Sequence, residues 1–252
     1  MSFTSGSTCK HNHGMALPGW CTATDDRWPW PESAGQRALA QITFEAEQLP
    51  PGTPATKEDP ILPDSLSHAV AKRRAEYLAG RLAAGRALAR LGAGTTYPER
   101  HPDGQPLWPA GFTGSFTHSG PCAAAAVART DDYLALGLDL EPLVTDQAAQ
   151  RLQTRILTPD ERSRFHSALT AQPDELVTTV FSLKESLFKA LFPVTGHRFW
   201  FQDAQVTALN SDSACLQLNK PLAPEFPAGS QFDAAITRTE HGILTMISVP
   251  AS

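Results

Sequence analysis

Cysteine is scarce in this 252-residue sequence, and Cys9, Cys21, Cys122 and Cys215 are scattered along it. Four distant thiols make no disulfide framework and point to a reducing, cytoplasmic setting. Basic charge is also short. Lys and Arg number 21 against 26 Asp and Glu, for a net charge of -5. That excludes the overall positive field with which a general nucleic-acid binder neutralises phosphates. Long apolar runs are missing too. The longest alanine- and valine-rich stretch, from Cys122 to Ala128, is far too short to cross a bilayer, so no membrane span is expected. Residues 1–14 are polar and lack the apolar centre of a signal peptide. What is present, 41% hydrophobic and 19% charged residues, is the balance of a folded chain. The length suits one large domain or two small ones.

Residues 1–35 are rich in Ser, Thr, Gly, His and Pro, with Trp20, Trp28 and Trp30 as their large side chains. They read as a loose arm that docks through its tryptophans. Cys9, His11, His13 and Cys21 are metal-ligand types, but their spacing matches no standard zinc pattern. Pro50, Pro51, Pro54, Pro60 and Pro63 make 48–66 a loop. A helix is expected over 67–91, with an apolar stripe of Val70, Leu78, Leu82 and Leu88 and a stop at Gly92 and Gly94. Residues 115–129 read as two strands around a Ser119-Gly120-Pro121 turn, and 134–140 as a buried strand. Thr158-Pro159-Asp160-Glu161 is a capping box that opens a helix. A longer helix is expected over 174–192, ended by Pro193 and Gly196. Strands near 199–209, 214–218, 232–237 and 243–249 close the chain. A long helix followed by short strands thus occurs twice, which suggests a duplicated α+β unit.

Gly137-Leu-Asp-Leu-Glu141 is the most informative strand. Alternation puts Asp139 and Glu141 on one face and Leu138 and Leu140 on the other. Two carboxylates on one face repel unless a cation or a shared proton joins them. Hard oxygen ligands at this spacing suit Mg²⁺; the alternative is a strand end hydrated at Pro142. In the helix around Phe181-Ser-Leu-Lys-Glu-Ser-Leu-Phe-Lys189, Lys184 falls inside the apolar arc, which is costly unless its ammonium meets an anion. Glu185 and Lys189 are four apart and within reach of each other, as in an ordinary surface ion pair. A Lys-Glu-x-x-x-Lys helix beside an acidic strand has the parts of a phosphoryl-transfer site: a metal, a base and cations. In the first long helix, Arg74 and Arg81 lie on the apolar stripe and Arg73 at its edge. They would take a phosphate or an internal carboxylate such as Glu76. His118, among the hydroxyls of Ser115-Phe-Thr-His-Ser119, would frame a phosphate pocket or serve as a bonded turn residue.

Together these stretches resemble the 4′-phosphopantetheinyl transferase superfamily, in its Sfp-type, enterobactin synthetase component D-like branch. The resemblance is carried by Lys72-Arg-Arg-Ala-Glu-Tyr-Leu-Ala-Gly-Arg81, Pro106-Leu-Trp-Pro109, Gly114-Ser-Phe-Thr-His-Ser119, Gly137-Leu-Asp-Leu-Glu141 and Phe181-Ser-Leu-Lys-Glu-Ser-Leu-Phe-Lys-Ala190, in that order. It implies an α+β, pseudo-twofold monomer of two halves, 36–132 and 133–252, each a long helix on a small, mainly antiparallel sheet, with the active site in the cleft between them. It implies transfer of the phosphopantetheine arm of coenzyme A to a serine of an apo carrier protein of peptide, polyketide or fatty-acid synthesis, siderophore synthesis included, with adenosine 3′,5′-bisphosphate released. Asp139, Glu141 and Glu185 would bind Mg²⁺, and Glu185, or a water it orients, would take the serine proton. Lys189 would steady phosphate charge, while Lys184 and His118 would contact coenzyme A phosphates. Arg73 and Arg81 would hold the 3′-phosphate end; helix phase favours Arg74, but the Arg-x-x-Glu pattern favours Arg73. Phe181 replaces a usual Trp, as in the siderophore branch. Asp103 stands where a basic residue is usual, leaving Arg100 to serve. Two rivals stand beside it: a Mg²⁺-dependent phosphohydrolase or pyrophosphatase that uses the same carboxylates, and a non-catalytic module whose basic helices bind carrier proteins, which would not need Glu185 and Lys189.

Overall fold

The computed structural model describes residues 17–31, 35–50, 60–94, 96–101 and 104–251. The polar opening segment with Cys9, His11 and His13, and Asp103, lie outside the described residues. In chain order the elements are β1 (Cys21–Asp25), β2 (Arg37–Phe44), α1 (Ala71–Arg90), a short pair β3 (Glu99–Arg100) and β4 (Pro106–Leu107), β5 (Phe112–Ser119) and β6 (Cys122–Arg129). There follow β7 (Tyr133–Glu141), α2 (Asp146–Ile156), α3 (Pro159–Arg164), α4 (His166–Ala171), α5 (Pro173–Thr195), β8 (Ala204–Leu209), β9 (Ser213–Leu218), β10 (Gln231–Thr239) and β11 (Gly242–Pro250). The fold is α+β. One antiparallel sheet has the order β1-β2-β6-β5, the other β7-β11-β10-β9-β8.

Three apolar clusters hold these layers. Ala38, Ala40 and Ile42 of β2, with Ala123, Ala125 and Val127 of β6, pack against Leu78, Leu82 and Leu88 of α1. The opposite faces of the same strands, Leu39, Ala124, Ala126 and Ala128, meet Leu136, Leu138, Leu140, Leu244 and Met246 of the other sheet. Strand β6 is therefore buried on both faces, which is why it is a continuous alanine run with no alternation. Leu183, Leu187 and Leu191 of α5 pack with Ala135 and Ile247 on the far side of β7 and β11.

The edges β5 and β7 are joined by side chains. The Leu138 amide donates to Ser115 Oγ at 3.0 Å and the Leu140 amide to Thr117 Oγ1 at 2.9 Å. The two hydroxyls expected to frame a phosphate are therefore engaged in tying the sheets together.

Several expectations need correction. Within the supposed loose arm, Cys21–Asp25 is a strand paired with β2, while Trp20 docks as expected, buried edge-to-face on Phe44 at 6.3 Å. Strand β2 was not anticipated, because Ala38, Leu39 and Ala40 are all buried and erase the period of two. Helix α2 was missed as well; it is capped by the Thr145 side chain accepting from the Ala148 amide. Val70, placed on the helical stripe, precedes α1 and is exposed. Helix α5 runs through Pro193 to Thr195 and ends at Gly196, whose φ of 67° is the left-handed cap that glycine adopts without strain. The capping box at Thr158 and Glu161 is present.

Candidate active site

The site begins at Gly137. A β-carbon built there would lie 2.8 Å from the Ala190 amide nitrogen and closer still to the Ser186 carbonyl oxygen. Only a glycine lets α5 press this closely onto β7. The contact aligns Glu185 and Lys189 of α5 with Asp139 and Glu141 of β7. Behind them Thr245, opposite Asp139 on β11, shares hydroxyl bonds with Ser182 at 2.9 Å and Ser186 at 2.8 Å.

All of the expected site residues except Lys184 line one cavity of about 690 Å³. Arg73 and Arg81 come from α1 and His118 from β5; Asp139, Glu141, Glu185 and Lys189 come from β7 and α5. Lys189 Nζ donates to Asp139 Oδ1 at 2.7 Å and to the Leu138 carbonyl at 3.1 Å. The Glu185–Lys189 pair suggested by their spacing is thus replaced by Lys189–Asp139. Asp139 Oδ2 is buried with no hydrogen-bond partner among the described residues. Burial, and then the Asp139 charge, push Glu141 up to about 7, with Lys189 opposing and Glu185 adding. Glu185 is raised by burial and by Asp139, against Lys189. The cluster holds three carboxylates and one ammonium, so it is short of positive charge.

On the opposite wall, Arg73 lies 3.4 Å from Glu76 and 3.3 Å from His118 Nε2. Burial lowers the His118 pKa; Glu76 opposes this, and Arg73, Lys189 and Lys72 add to it. Arg81 is buried, its guanidinium stacked on Tyr77 at 4.2 Å and Phe116 at 4.7 Å, with Nε donating to the Pro98 carbonyl at 3.0 Å. Phe116 is itself stacked on Trp108 of the Pro-Leu-Trp-Pro stretch, and Gly114 leaves room for that indole. The internal carboxylate weighed for these arginines, Glu76, pairs with Arg73. Arg74 does not line the cavity, and its Nε is buried without a partner among the described residues. Arg100 is exposed and does not line the cavity.

Lys184 requires a correction. Expected on coenzyme A phosphates, it is 2% exposed and donates to Glu161 Oε2 at 2.7 Å and to the Ile156 and Phe201 carbonyls at 2.8 Å each. All three protons have protein partners, so none remains for a ligand. Burial still lowers its pKa, with Glu161 opposing. Glu161 is fully buried and also accepts from the Thr158 and Val206 amides, at 2.6 Å each. The capping-box glutamate is thus the anion that Lys184 needed. Its capping role hid the second one. Of the further cavity residues, Glu76 was legible as a carboxylate partner and in the Arg-x-x-Glu pattern, while Tyr77 carried no signal of its own.

Residues 57–128 match the 4′-phosphopantetheinyl transferase N-terminal domain, and residues 135–238 match the 4′-phosphopantetheinyl transferase superfamily. Among curated relatives, the 4′-phosphopantetheinyl transferase Svp of Streptomyces mobaraensis is 32% identical over 206 residues, covering 77% of this chain and 82% of that protein. The chain belongs to the 4′-phosphopantetheinyl transferase superfamily. Enterobactin synthase component D of Salmonella typhimurium is 37% identical over 155 residues, 62% of this chain. The match spans about three fifths of that relative, 63% of its length. The 4′-phosphopantetheinyl transferase PptT of Mycobacterium tuberculosis is 34% identical over 161 residues, 63% of this chain and 67% of its own. No described helix of this superfamily member is long and apolar enough to cross a membrane.

Proposed function

We propose that this protein transfers the 4′-phosphopantetheine arm of coenzyme A to a serine of apo carrier-protein domains, releasing adenosine 3′,5′-bisphosphate. The observation that carries the proposal is the single cavity that gathers Arg73, Arg81 and His118 on one wall and Asp139, Glu141, Glu185 and Lys189 on the other. In this reading the units 36–132 and 133–252 supply one wall each. A basic wall paired with an acidic one suits a substrate with a terminal phosphate and a reacting pyrophosphate. The enterobactin synthase names among the relatives make a siderophore-type carrier the first acceptor to test.

Among the described residues, no three His, Cys, Asp or Glu side chains form a ready metal cage. The chemistry of the donors nevertheless fits Mg²⁺. Among the described residues Asp139 Oδ2 has no hydrogen-bond partner, and Glu141 and Glu185 are raised by burial first and then by the Asp139 charge. Mg²⁺ needs only one or two carboxylates, with waters and substrate phosphates completing its shell. Asp139, Glu141 and Glu185 would hold it. When bound it supplies charge neutralisation on the pyrophosphate.

The chain's own groups do the rest. Arg81, held rigid by Tyr77 and Phe116, and Arg73 with His118 bind the adenosine 3′-phosphate end and orient coenzyme A. Glu185 accepts the serine proton, directly or through one water, as the serine oxygen bonds to the pantetheine-side phosphorus. The bond from that phosphorus to the bridging oxygen breaks, and the bisphosphate leaves with the electron pair. Lys189, on Asp139 at the mouth of the cluster, moves to the charge that develops on the phosphoryl oxygens. The test is to incubate pure protein with coenzyme A, Mg²⁺ and a panel of apo peptidyl and acyl carriers, and to weigh the carriers. One phosphopantetheine added to serine, abolished by chelator and in Asp139→Ala, is the expected result. Phosphate released to water without any carrier would support a hydrolase instead, and binding without transfer a non-catalytic module.

A further inference from the structure

The rim beyond Glu185 carries an exposed aromatic that the transfer chemistry does not use. Trp200 is 72% exposed. An exposed indole usually sits on a pliant segment, but this one is held from several sides. Phe199 before it is buried and packs on Phe188 at 5.4 Å. Phe201 after it packs on Phe181 at 5.4 Å, and its carbonyl accepts from the buried Lys184. The Trp200 amide donates to Asp203 Oδ2 at 2.7 Å, and Lys220 pairs with the same oxygen at 2.7 Å. Both neighbours point inward, so the backbone directs the indole outward with little freedom to fold away.

Trp200 and Arg198 line a second cavity of about 210 Å³, which also includes Lys184, Glu185, Phe188 and Phe199. Glu185 and Phe188 line the main cavity as well, so the two cavities are neighbours that share these side chains. Arg198 is exposed and rests over the Phe192 ring at 5.2 Å. Trp and Arg are among the side chains most enriched where protein interfaces concentrate their binding energy. The rigid indole costs little side-chain entropy to fix.

We propose that Trp200 and Arg198 form the docking surface for the serine-bearing segment of the apo carrier protein, with an apolar carrier residue near the serine on Trp200 and a carrier carboxylate on Arg198. The proposal rests on the transfer reading above, because the acceptor hydroxyl must arrive at Glu185 and this rim adjoins it. It also gives Lys184 a role consistent with its burial: Lys184 is a positioning residue whose ammonium holds the Phe201 carbonyl, and so the loop that presents Trp200.

The test compares the parent with Trp200→Ala and Arg198→Glu, using coenzyme A and an apo carrier that the parent modifies. Binding is measured in parallel with the same carrier bearing Ser→Ala, which cannot accept the arm. The carrier KM and the carrier Kd should rise at least tenfold in both variants, while the Kd for coenzyme A stays within twofold of the parent. Charge reversal of the partnered carrier carboxylate to lysine should recover binding to Arg198→Glu. An unchanged carrier KM in folded Trp200→Ala, with the parent active, overturns the docking surface and leaves the transfer reading standing. A parent that modifies no carrier overturns the transfer reading and the docking surface with it. Equal weakening of coenzyme A and carrier binding also overturns the docking surface, since it would report a general distortion.

Discussion

The single hydrogen on Gly137 sets the distance between the two elements that carry the acidic cluster. In Gly137→Ala the new methyl would sit 2.8 Å from the Ala190 nitrogen and nearer to the Ser186 oxygen, below the 3.0 Å that real β-carbons keep. Both obstacles are backbone atoms of α5, so no side-chain rotation relieves the clash and the helix must move outward. Overpacking of this kind costs about 1–3 kcal/mol, which for a chain of this size lowers Tm by roughly 2–12 °C. The larger effect is on rate. Glu185 lies one residue before Ser186 and Lys189 one before Ala190, so moving α5 draws both away from Asp139. A misplacement of about 1 Å costs on the order of a hundredfold in turnover. Coenzyme A binding should persist, because Arg73, Arg81 and His118 stand on α1 and β5. The assay is carrier modification followed by mass, with calorimetric Tm and coenzyme A Kd on the same preparation. Gly19→Ala is the control, since a β-carbon there meets nothing within 4 Å. Parental turnover in a Gly137→Ala protein would refute the idea that close approach of α5 to β7 assembles the site.

Other expectations follow from single contacts. Lys184→Met leaves Glu161 buried without its counter-charge, so it should cost about 3–5 kcal/mol of stability; a parental Tm combined with a raised coenzyme A KM would return Lys184 to the ligand. Glu185→Gln should lower turnover by roughly a hundred- to ten-thousandfold at unchanged Tm, because it removes a proton acceptor; a normal rate would remove Glu185 from the chemistry. Arg81→Lys keeps the charge but loses the stacking on Tyr77 and Phe116, so coenzyme A KM should rise with turnover less affected; unchanged discrimination against 3′-dephospho-coenzyme A would separate Arg81 from the 3′-phosphate. Glu141 is raised from the ordinary 4.5 to about 7, so the folded chain holds a proton that the unfolded chain has released between those values. Metal-free stability should therefore fall as pH rises from about 4.5 through about 7 and level off above it, and Mg²⁺ should recover part of the loss; stability rising with pH across that window would contradict the burial of Glu141 beside Asp139.

What the sequence determined by itself was local. Strand alternation placed Asp139 and Glu141 together, and the side chains do share the cavity wall, because a period of two is a property of the backbone. The Thr158 capping box and the Gly196 stop were legible for the same reason: both are bonds between residues a few positions apart. The cost of burying Lys184 was legible as well, but not the anion that meets it. The partner, Glu161, lies 23 residues away, and only the tertiary fold that brings the first turn of α3 to Lys184 decides that pairing. Long-range contacts likewise gave Lys189 to Asp139 in place of Glu185, and turned Ser115 and Thr117 to the amides of β7. Strand β2 escaped detection because burial on both faces removes the alternation that marks a strand. Periodicity assigns a side chain to a face. Which group waits opposite that face depends on how sheets and helices close over tens of residues, and here that closure decided which charges were free to meet a ligand.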